Sequence, residues 1–170
     1  GNTPLVRINE ITKGLPSTVE VYAKLEYFNP GGSIKDRAAY RMIRGGIESG
    51  RLTKDKIIMD PTSGNTGIAY AMIGAALGFE VELVMPANVS RQRRDICEAF
   101  GAKITFSSEF EGSDGAIRLA RKMLALEPQK YFMPDQYNNP MNAQAHYDTT
   151  AAEIWEQTSG RVTHFIATMG

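Results

Sequence analysis

The chain has 170 residues and no net formal charge, because 19 lysine and arginine residues balance 19 aspartate and glutamate residues. A chain without a basic field is a poor candidate for coating nucleic acid or an anionic membrane, so the composition argues against both classes of partner. No apolar stretch approaches the about 20 residues that a transmembrane helix needs. The first residues also lack the charged-then-apolar pattern of a signal peptide.

Cysteine and histidine usage narrows the possible chemistry. The single cysteine, Cys97, cannot form an intramolecular disulfide, which predicts a reducing compartment and therefore a cytoplasmic protein. Its position near Phe100 on a predicted helix favours a small core residue. His146 and His164 have no metal-ligand spacing, so we expect no metal site.

Two short apolar runs, around Val6 to Ile8 and Val19 to Leu25, precede a different pattern. They are separated by Gly14-Leu15-Pro16-Ser17, which is typical of two strands joined by a loop. We expect them to belong to a sheet of their own.

From residue 50 onward, short apolar runs alternate with longer segments of helical period. This alternation predicts repeated βαβ units, and hence an α/β fold with an open parallel sheet flanked by helices on both faces. The predicted strands are Ile57 to Met59, Val81 to Met85, Ile104 to Phe106, Tyr131 to Met133 and Phe165 to Thr168.

The intervening helices are predicted from their ends and their apolar faces. Helix 66–77 should be almost wholly buried and end at Gly78. Helices 91–100 and 114–126 follow Ser90 and Ser113, which are suitable N-caps. A last helix begins near Pro140, with one apolar face formed by Ala143, Tyr147, Ala151 and Ile154.

The run Asn29–Arg37 carries the first candidate for chemistry. Ser33 followed by Asp36 resembles a capping box, which would place Lys35 in the first turn of a helix. A helix N-terminus disfavours the ammonium form, and a neutral amine is what Schiff-base chemistry needs. An exposed structural lysine is the alternative, and this run alone favours it.

The run Asp60–Gly67 carries the second candidate. It follows a predicted strand and opens the buried helix, so its hydroxyl, amide and backbone N–H groups should cluster at the carboxyl edge of a parallel sheet. A helix N-terminus there suits an anion such as a carboxylate. A simple capped helix start would explain one or two of these polar residues but not all of them.

Together, the runs Asn29–Arg37 and Thr62–Gly67 resemble the two signatures of the cysteine synthase and cystathionine β-synthase family of pyridoxal-phosphate enzymes. The downstream run Asp135–Pro140, with Glu153-Ile154-Trp155 and Thr163-His164-Phe165, is similar to the B-type cysteine synthases. The resemblance covers the whole chain and implies fold type II, the fold of the tryptophan synthase β-subunit, with an incomplete larger domain.

The resemblance also implies a role for individual residues. Lys35 matches the catalytic lysine that holds the cofactor covalently and then moves the Cα proton. Asn65 matches the asparagine that hydrogen-bonds the cofactor ring, and Gly170 matches the first residue of the loop that grips the cofactor phosphate. The residues that match the substrate-carboxylate site are Thr62, Ser63, Thr66 and Gln136.

The implied reaction is a β-replacement that makes L-cysteine from an O-activated L-serine and a sulfur donor. The sequence leaves open O-acetylserine or O-phosphoserine as the acceptor, and sulfide, thiosulfate or a carrier protein as the donor. A serine or threonine dehydratase and a non-catalytic binding fragment are the alternatives. A homodimer is expected from the resemblance alone.

The resemblance to this family also implies domain boundaries. Residues 35–145 are expected to form the smaller, mobile domain, and residues 1–34 and 146–170 part of the larger, cofactor-binding domain. Because the family is longer, we expect this chain to be an N-terminal part that binds the cofactor weakly and turns over poorly by itself.

Overall fold

A computed structural model describes residues 1–168 and contains the predicted parallel sheet. Its four strands lie in the order β5-β4-β3-β6, and every neighbouring pair is parallel. The α/β fold class is therefore confirmed. The strands are β3 Ile57–Pro61, β4 Val81–Pro86, β5 Lys103–Ser107 and β6 Tyr131–Phe132.

The predicted strand at Phe165 to Thr168 is wrong. These residues have no regular secondary structure, and the side chains of Phe165 and Ile166 are 69% and 93% exposed. A β-strand needs a neighbour to satisfy its backbone N–H and C=O groups. Within residues 1–168 no strand pairs with this run, so its apolar character alone does not produce a strand.

Helices cover both faces of the sheet. Two single-turn 3-10 helices, Glu26–Phe28 and Glu109–Glu111, precede α1 and α4. The α-helices are α1 Lys35–Glu48, α2 Asn65–Leu77, α3 Arg91–Ala99, α4 Gly112–Leu126, α5 Pro140–Ala145 and α6 Ala152–Gln157. A π-helical segment, His146–Ala151, joins the last two. None of the helices described is long and apolar enough to cross a membrane.

The core has two layers because successive side chains of a buried strand point to opposite faces. Ile58 and Leu83 pack in the larger cluster, beneath α1 and α2. Met59 and Val84 pack in the smaller cluster with the apolar face of α4. Cys97 is fully buried in the larger cluster, as predicted.

Helix α2 runs opposite to the strand that follows it. Gly67, in its first turn, lies against the Met85 side chain near the end of β4, whereas Gly74 lies against Val81 at the start of β4. The left-handed Gly78 ends the helix as predicted, since its φ of 70° suits glycine. The N-terminus of α2 therefore lies at the carboxyl edge of the sheet.

Helix α1 has the same direction as α2. Near its C-terminus, Gly46 lies against the ring of Phe132, which pairs with Ile58 in the first half of β3. Nearer its N-terminus, the sulfur of Met42 lies 3.9 Å from the hydroxyl of Tyr70, in the middle of α2. Both helices thus begin at the carboxyl edge of the sheet.

The first residues form the predicted separate sheet. Strands β1 Leu5–Arg7 and β2 Tyr22–Lys24 pair antiparallel and make no strand pairing with the four-stranded sheet within the described chain. This segment is attached to the rest through Arg37, whose side chain is 2% exposed and hydrogen-bonds Thr3, Glu26 and Glu153.

Two of the predicted helix starts are displaced by one or more residues. Helix α1 begins after Ile34 rather than Ser33, and the Asp36 carboxylate accepts a hydrogen bond from the N–H of Gly31 instead of completing a capping box. Helix α4 begins at Gly112, so Ser113 lies inside its first turn. In neither helix does the side chain at the N-cap position, Ile34 or Glu111, hydrogen-bond a backbone N–H of the first turn.

The predicted apolar face of the last helix is also wrong. Ala143, Tyr147 and Ala151 are exposed, whereas Ala145 and Thr150 are buried. The π-helical segment has more residues per turn than an α-helix. It therefore rotates the buried face away from the positions that an α-helical period predicts.

Candidate functional site

Lys35 is the first residue of α1 and is half-buried at the carboxyl edge of the sheet. A tight turn precedes it: the N–H of Gly32 donates to the carbonyl of Asn29 at 2.7 Å, and Gly32 has a φ of 80°. The N–H of Lys35 itself donates to the Ser33 hydroxyl at 3.2 Å. The turn and the helix start together fix where the lysine side chain emerges.

No carboxylate within residues 1–168 lies within 4.0 Å of the Lys35 amine. The imidazole of His146 is close enough to be affected by it. Burial lowers the pKa of His146, and the positive charge of Lys35 lowers that pKa further. The ring of His146 lies 3.0 Å from the Thr150 hydroxyl, as expected for an ordinary hydrogen-bonded histidine.

The loop between β3 and α2 brings polar groups to the same edge. Thr62 and Thr66 are buried, Ser63 is half-buried and Asn65 is exposed. Gly64 is the extended N-cap, and its N–H donates to the Thr62 hydroxyl at 3.4 Å. Because the first N–H groups of a helix have no intrahelical partner, they are available to an anion at this position.

Gln136 joins this loop from a distant part of the chain. Its side-chain carbonyl accepts a hydrogen bond from the Thr66 hydroxyl at 2.9 Å, and its side-chain amide donates to the carbonyl of Pro61 at 3.4 Å. Asn142 donates to the backbone carbonyl of Gln136 at 2.9 Å. Two of the predicted carboxylate-site residues, Thr66 and Gln136, are therefore in direct contact across 70 residues of sequence.

Asp60 is a buried carboxyl group directly beneath the site. It is 1% exposed, and its Oδ2 accepts a hydrogen bond from the N–H of Gln136 at 3.5 Å. Burial raises its pKa to about 7. Sequence reasoning did not select it as a functional residue, although a carboxylate at the end of a fully apolar strand is itself an unusual signal.

A small cleft beside the site includes two more residues that sequence reasoning missed. Ser113, from the first turn of α4, and Tyr137, which follows Gln136, line it with Thr62 and Ser63. Ser113 was selected only as a helix cap. Its local sequence carries no signal of this position, because the approach of α4 to the β3–α2 loop depends on the packing of the sheet.

The remaining predicted positions do not extend the site. Gly170 lies outside the described residues. No group of three or more potential metal ligands occurs among residues 1–168. What the structure assembles is a lysine at one helix start, a hydroxyl-rich loop at the next, and a glutamine that hydrogen-bonds this loop.

Comparison with known proteins identifies the family of this arrangement. The sequence matches the family described as "Pyridoxal-phosphate dependent enzyme" over residues 1–170. It is 53% identical to a cysteine synthase of Aquifex aeolicus over 171 residues, which is the whole chain but 52% of that protein. It is 45% identical to cysteine synthase B of Escherichia coli over 170 residues, again the whole chain and 55% of the relative.

Solved structures agree with the sequence comparison. A cysteine synthase from Entamoeba histolytica superposes with a TM-score of 0.92 at 41% identity, covering 95% of this chain and 48% of that one. The chain thus spans about half the length of the relatives it matches. Its parallel sheet flanked by helices is part of a fold-type II structure, and the chain belongs to the family of pyridoxal-phosphate dependent enzymes.

Proposed function

We propose that the protein containing this chain is a cysteine synthase, which replaces the activated hydroxyl of an O-activated L-serine with sulfur to make L-cysteine. The observation that carries the proposal is the hydrogen bond between Thr66 and Gln136 at 2.9 Å. It closes a hydroxyl-rich loop at the N-terminus of α2, on the sheet edge where Lys35 begins α1. The names of the relatives point to the same reaction.

The residues present fit pyridoxal phosphate. The cofactor needs a lysine amine, and Lys35 has no carboxylate competing for it among the described residues. Asn65 is exposed at the start of α2, where its amide can reach a ring substituent. When bound, the cofactor supplies an electron sink for the substrate Cα. We propose Lys35 and Asn65 as its ligands in this chain, with Gly170 beginning the phosphate loop.

The substrate carboxylate would bind to the β3–α2 loop. The hydroxyls of Thr62 and Ser63 and the N–H groups of the first turn of α2 can donate to an anion. The Thr66 hydroxyl donates to the side-chain carbonyl of Gln136 in this structure, and it would turn from that acceptor to donate to the substrate carboxylate. Anchoring the carboxylate in this way directs the Cα–H toward Lys35, whose amine accepts the proton and later returns it.

The rest of the proposal concerns the assembly. We propose residues 35–145 as a smaller, mobile domain, with residues 1–34 and 146–170 as part of the larger one. We also propose a homodimer, which would cover exposed aromatic side chains such as Trp155. A cytoplasmic location is supported by the single cysteine, which is buried and unpaired. Sedimentation of the full-length protein tests the dimer.

Borohydride reduction of the full-length protein in pyridoxal phosphate tests the site. We expect a stable cofactor adduct on the peptide containing Lys35, and none in Lys35→Ala. Lys13→Ala is the matched control, because Lys13 lies in an exposed loop and its amine forms an ion pair only with Glu10 among residues 1–168. An adduct elsewhere, or none at all, would favour the non-catalytic binding module.

Product analysis then separates the two candidate enzymes. The full-length protein should form L-cysteine from O-acetylserine or O-phosphoserine with sulfide or thiosulfate. Release of pyruvate from L-serine without a sulfur donor would instead identify a dehydratase.

Thr66→Val should weaken binding of the amino-acid substrate about tenfold or more, because a buried hydroxyl that binds an anion contributes about 1.5–3 kcal/mol.

A further inference from the structure

A buried carboxyl group, that of Asp60, lies next to the proposed carboxylate site. Asp60, the residue before the last of β3, is 1% exposed. Its Oδ2 has the N–H of Gln136 as a long hydrogen-bond donor at 3.5 Å, and its Oδ1 has no hydrogen-bond partner in the described chain. A buried carboxylate with so few donors is costly, because desolvation is not compensated.

The groups around Asp60 do little to stabilise its charge. Tyr70 from α2 brings its hydroxyl near the carboxyl group, but its aligned contact is with the sulfur of Met42 from α1. Leu83, its neighbour on β4, is apolar. Asp135, from the loop after β6, adds a like charge. Burial is the main reason that the pKa of Asp60 rises to about 7, and the Tyr70 hydroxyl and the backbone N–H groups of Gln136 and Asp135 offset it only in part.

A single residue separates Asp60 from the proposed anion site. The backbone of Gln136 contacts Asp60, and its side chain contacts Thr66 and the carbonyl of Pro61. A substrate carboxylate at this loop would place a second negative charge beside the first, in an environment that screens charges poorly. Like charges in such a setting favour protonation of one of them.

We propose that Asp60 takes up a proton from solvent when a carboxylate binds at the Thr62–Thr66 loop, so that substrate binding and protonation of Asp60 are coupled. This inference rests on the proposed function, since it needs an anion at that loop. Asp60 is a positioning residue and touches no substrate atom. Protonation removes the repulsion and leaves a neutral group that still accepts the hydrogen bond from Gln136.

The test measures how the affinity for a simple carboxylate depends on pH. Propionate is the probe, because it has neither an amino group nor a leaving group and is fully ionised above pH 6. Its dissociation constant is measured calorimetrically for the full-length holoenzyme between pH 6 and 9. The variants are Asp60→Asn, which cannot ionise, and Asp95→Asn, which removes an exposed carboxylate on α3.

Between pH 6 and 8.5, the affinity of wild type and of Asp95→Asn for propionate should fall about tenfold more than the affinity of Asp60→Asn. A tenfold change corresponds to a rise of one unit in the pKa of Asp60 on binding. Any pH dependence that Asp60→Asn retains belongs to other groups, including the cofactor. If the asparagine variant does not fold, Asp60→Ser provides the same comparison.

The failures are distinguishable. Identical pH profiles for wild type and Asp60→Asn would overturn the coupling and leave the carboxylate site intact. If wild type does not bind propionate at any pH, the carboxylate site fails, and the proposed function fails with it. Calorimetry in two buffers of different ionisation enthalpy adds a direct check, since wild type should take up more protons per bound propionate near pH 7.5 than Asp60→Asn.

Discussion

The guanidinium of Arg37 holds the carboxylate of Glu153 with two hydrogen bonds, of 2.6 Å through Nη1 and 2.7 Å through Nη2. Arg37 lies two residues after Lys35, and Glu153 lies in α6. Arg37 also binds Glu26, and Glu153 also binds Lys24 at 2.6 Å. This Arg37 network therefore joins the N-terminal segment, the start of α1 and α6 at a point adjacent to the proposed catalytic lysine.

Removing the centre of the Arg37 network should be strongly destabilising. Arg37→Met leaves Glu26 and Glu153 without their main partner, and breaking a buried ion pair from one side costs about 3 kcal/mol. Urea unfolding of the full-length protein measures this loss. Arg41→Gln, which breaks an exposed pair with Glu48 on the same helix, should cost less than about 0.5 kcal/mol.

The double variant Arg37→Met with Glu153→Gln separates an unpaired charge from lost packing. It should be less destabilised than the sum of the two single variants, because the second change removes the charge that the first leaves unpaired. Strict additivity would mean that the contact between the two side chains contributes nothing to the effect.

The pH dependence of unfolding should reveal Glu153. Hydrogen bonds from Arg37 hold its folded-state pKa well below the usual value of 4.5. A lowered pKa stabilises the fold above pH 4.5, and this stabilisation is lost as the pH falls toward the folded-state pKa, by at most about 1.4 kcal/mol per pH unit. Glu153→Gln should flatten this acid limb.

The matched control for Glu153 is Glu48→Gln. Glu48 is an exposed carboxylate that also pairs with arginine. Its change should leave the slope of unfolding free energy between pH 5 and 3 almost as steep as in wild type. If Glu153→Gln and Glu48→Gln behave alike, the Arg37 network does not govern acid stability.

Local sequence patterns predict most of the fold, for a physical reason. Strands buried on both faces are short apolar runs, so β3 and β4 can be recognised in the sequence. The helix between them ends at Gly78, whose left-handed backbone conformation favours glycine. The failures have a common origin as well. Phe165 to Thr168 lacks a partner strand, and the π-helical segment follows from packing that periodicity does not encode.

The candidate site is less accessible to sequence reasoning. Lys35 and the β3–α2 loop could be located at helix starts from their sequences alone. The contact of Thr66 with Gln136 could not, because it joins residues 70 positions apart, and Gln136 was selected only through resemblance to a family. An acidic residue within an otherwise apolar strand is a local signal at Asp60, but its burial depends on α2 and on the loop after β6, so the raised pKa cannot be inferred from the strand alone.

Two adjacent glycines in α1 should respond in opposite ways to alanine. A Cβ on Gly46 would collide with the ring of Phe132, including Cε1 at 2.9 Å, so Gly46→Ala should cost about 2 kcal/mol by overpacking. A Cβ on Gly45 would meet Cγ of Met141 at 3.3 Å, and that flexible side chain can move. Gly45→Ala should therefore be neutral or stabilise the helix by up to about 1 kcal/mol. Equal unfolding midpoints for the two variants would contradict the packing of α1 against β6.

Asp60 should affect stability in the opposite sense to Glu153. The pKa of Asp60 is 3.8 in the unfolded chain and rises to about 7 in the folded protein, mainly through burial. The folded state therefore binds the proton more tightly than the unfolded state. The contribution of the neutral carboxyl is present below pH 3.8 and is lost as the pH rises to about 7, after which it stays constant. Asparagine is neutral at every pH. The free energy of unfolding of Asp60→Asn should therefore rise relative to that of wild type by about 1.4 kcal/mol per pH unit across that window.

Urea unfolding of the ligand-free protein at pH 4, 5.5, 7 and 8.5 measures this gain, with Asp95→Asn as the exposed control. Tyr70→Phe supplies an independent check on the cause. Removing the hydroxyl takes away a group that favours the charged carboxylate, so the loss of stability should extend to higher pH than in wild type. A constant difference between Asp60→Asn and wild type at all four pH values would mean that Asp60 keeps an ordinary pKa, and that the carboxyl group reaches water despite its burial.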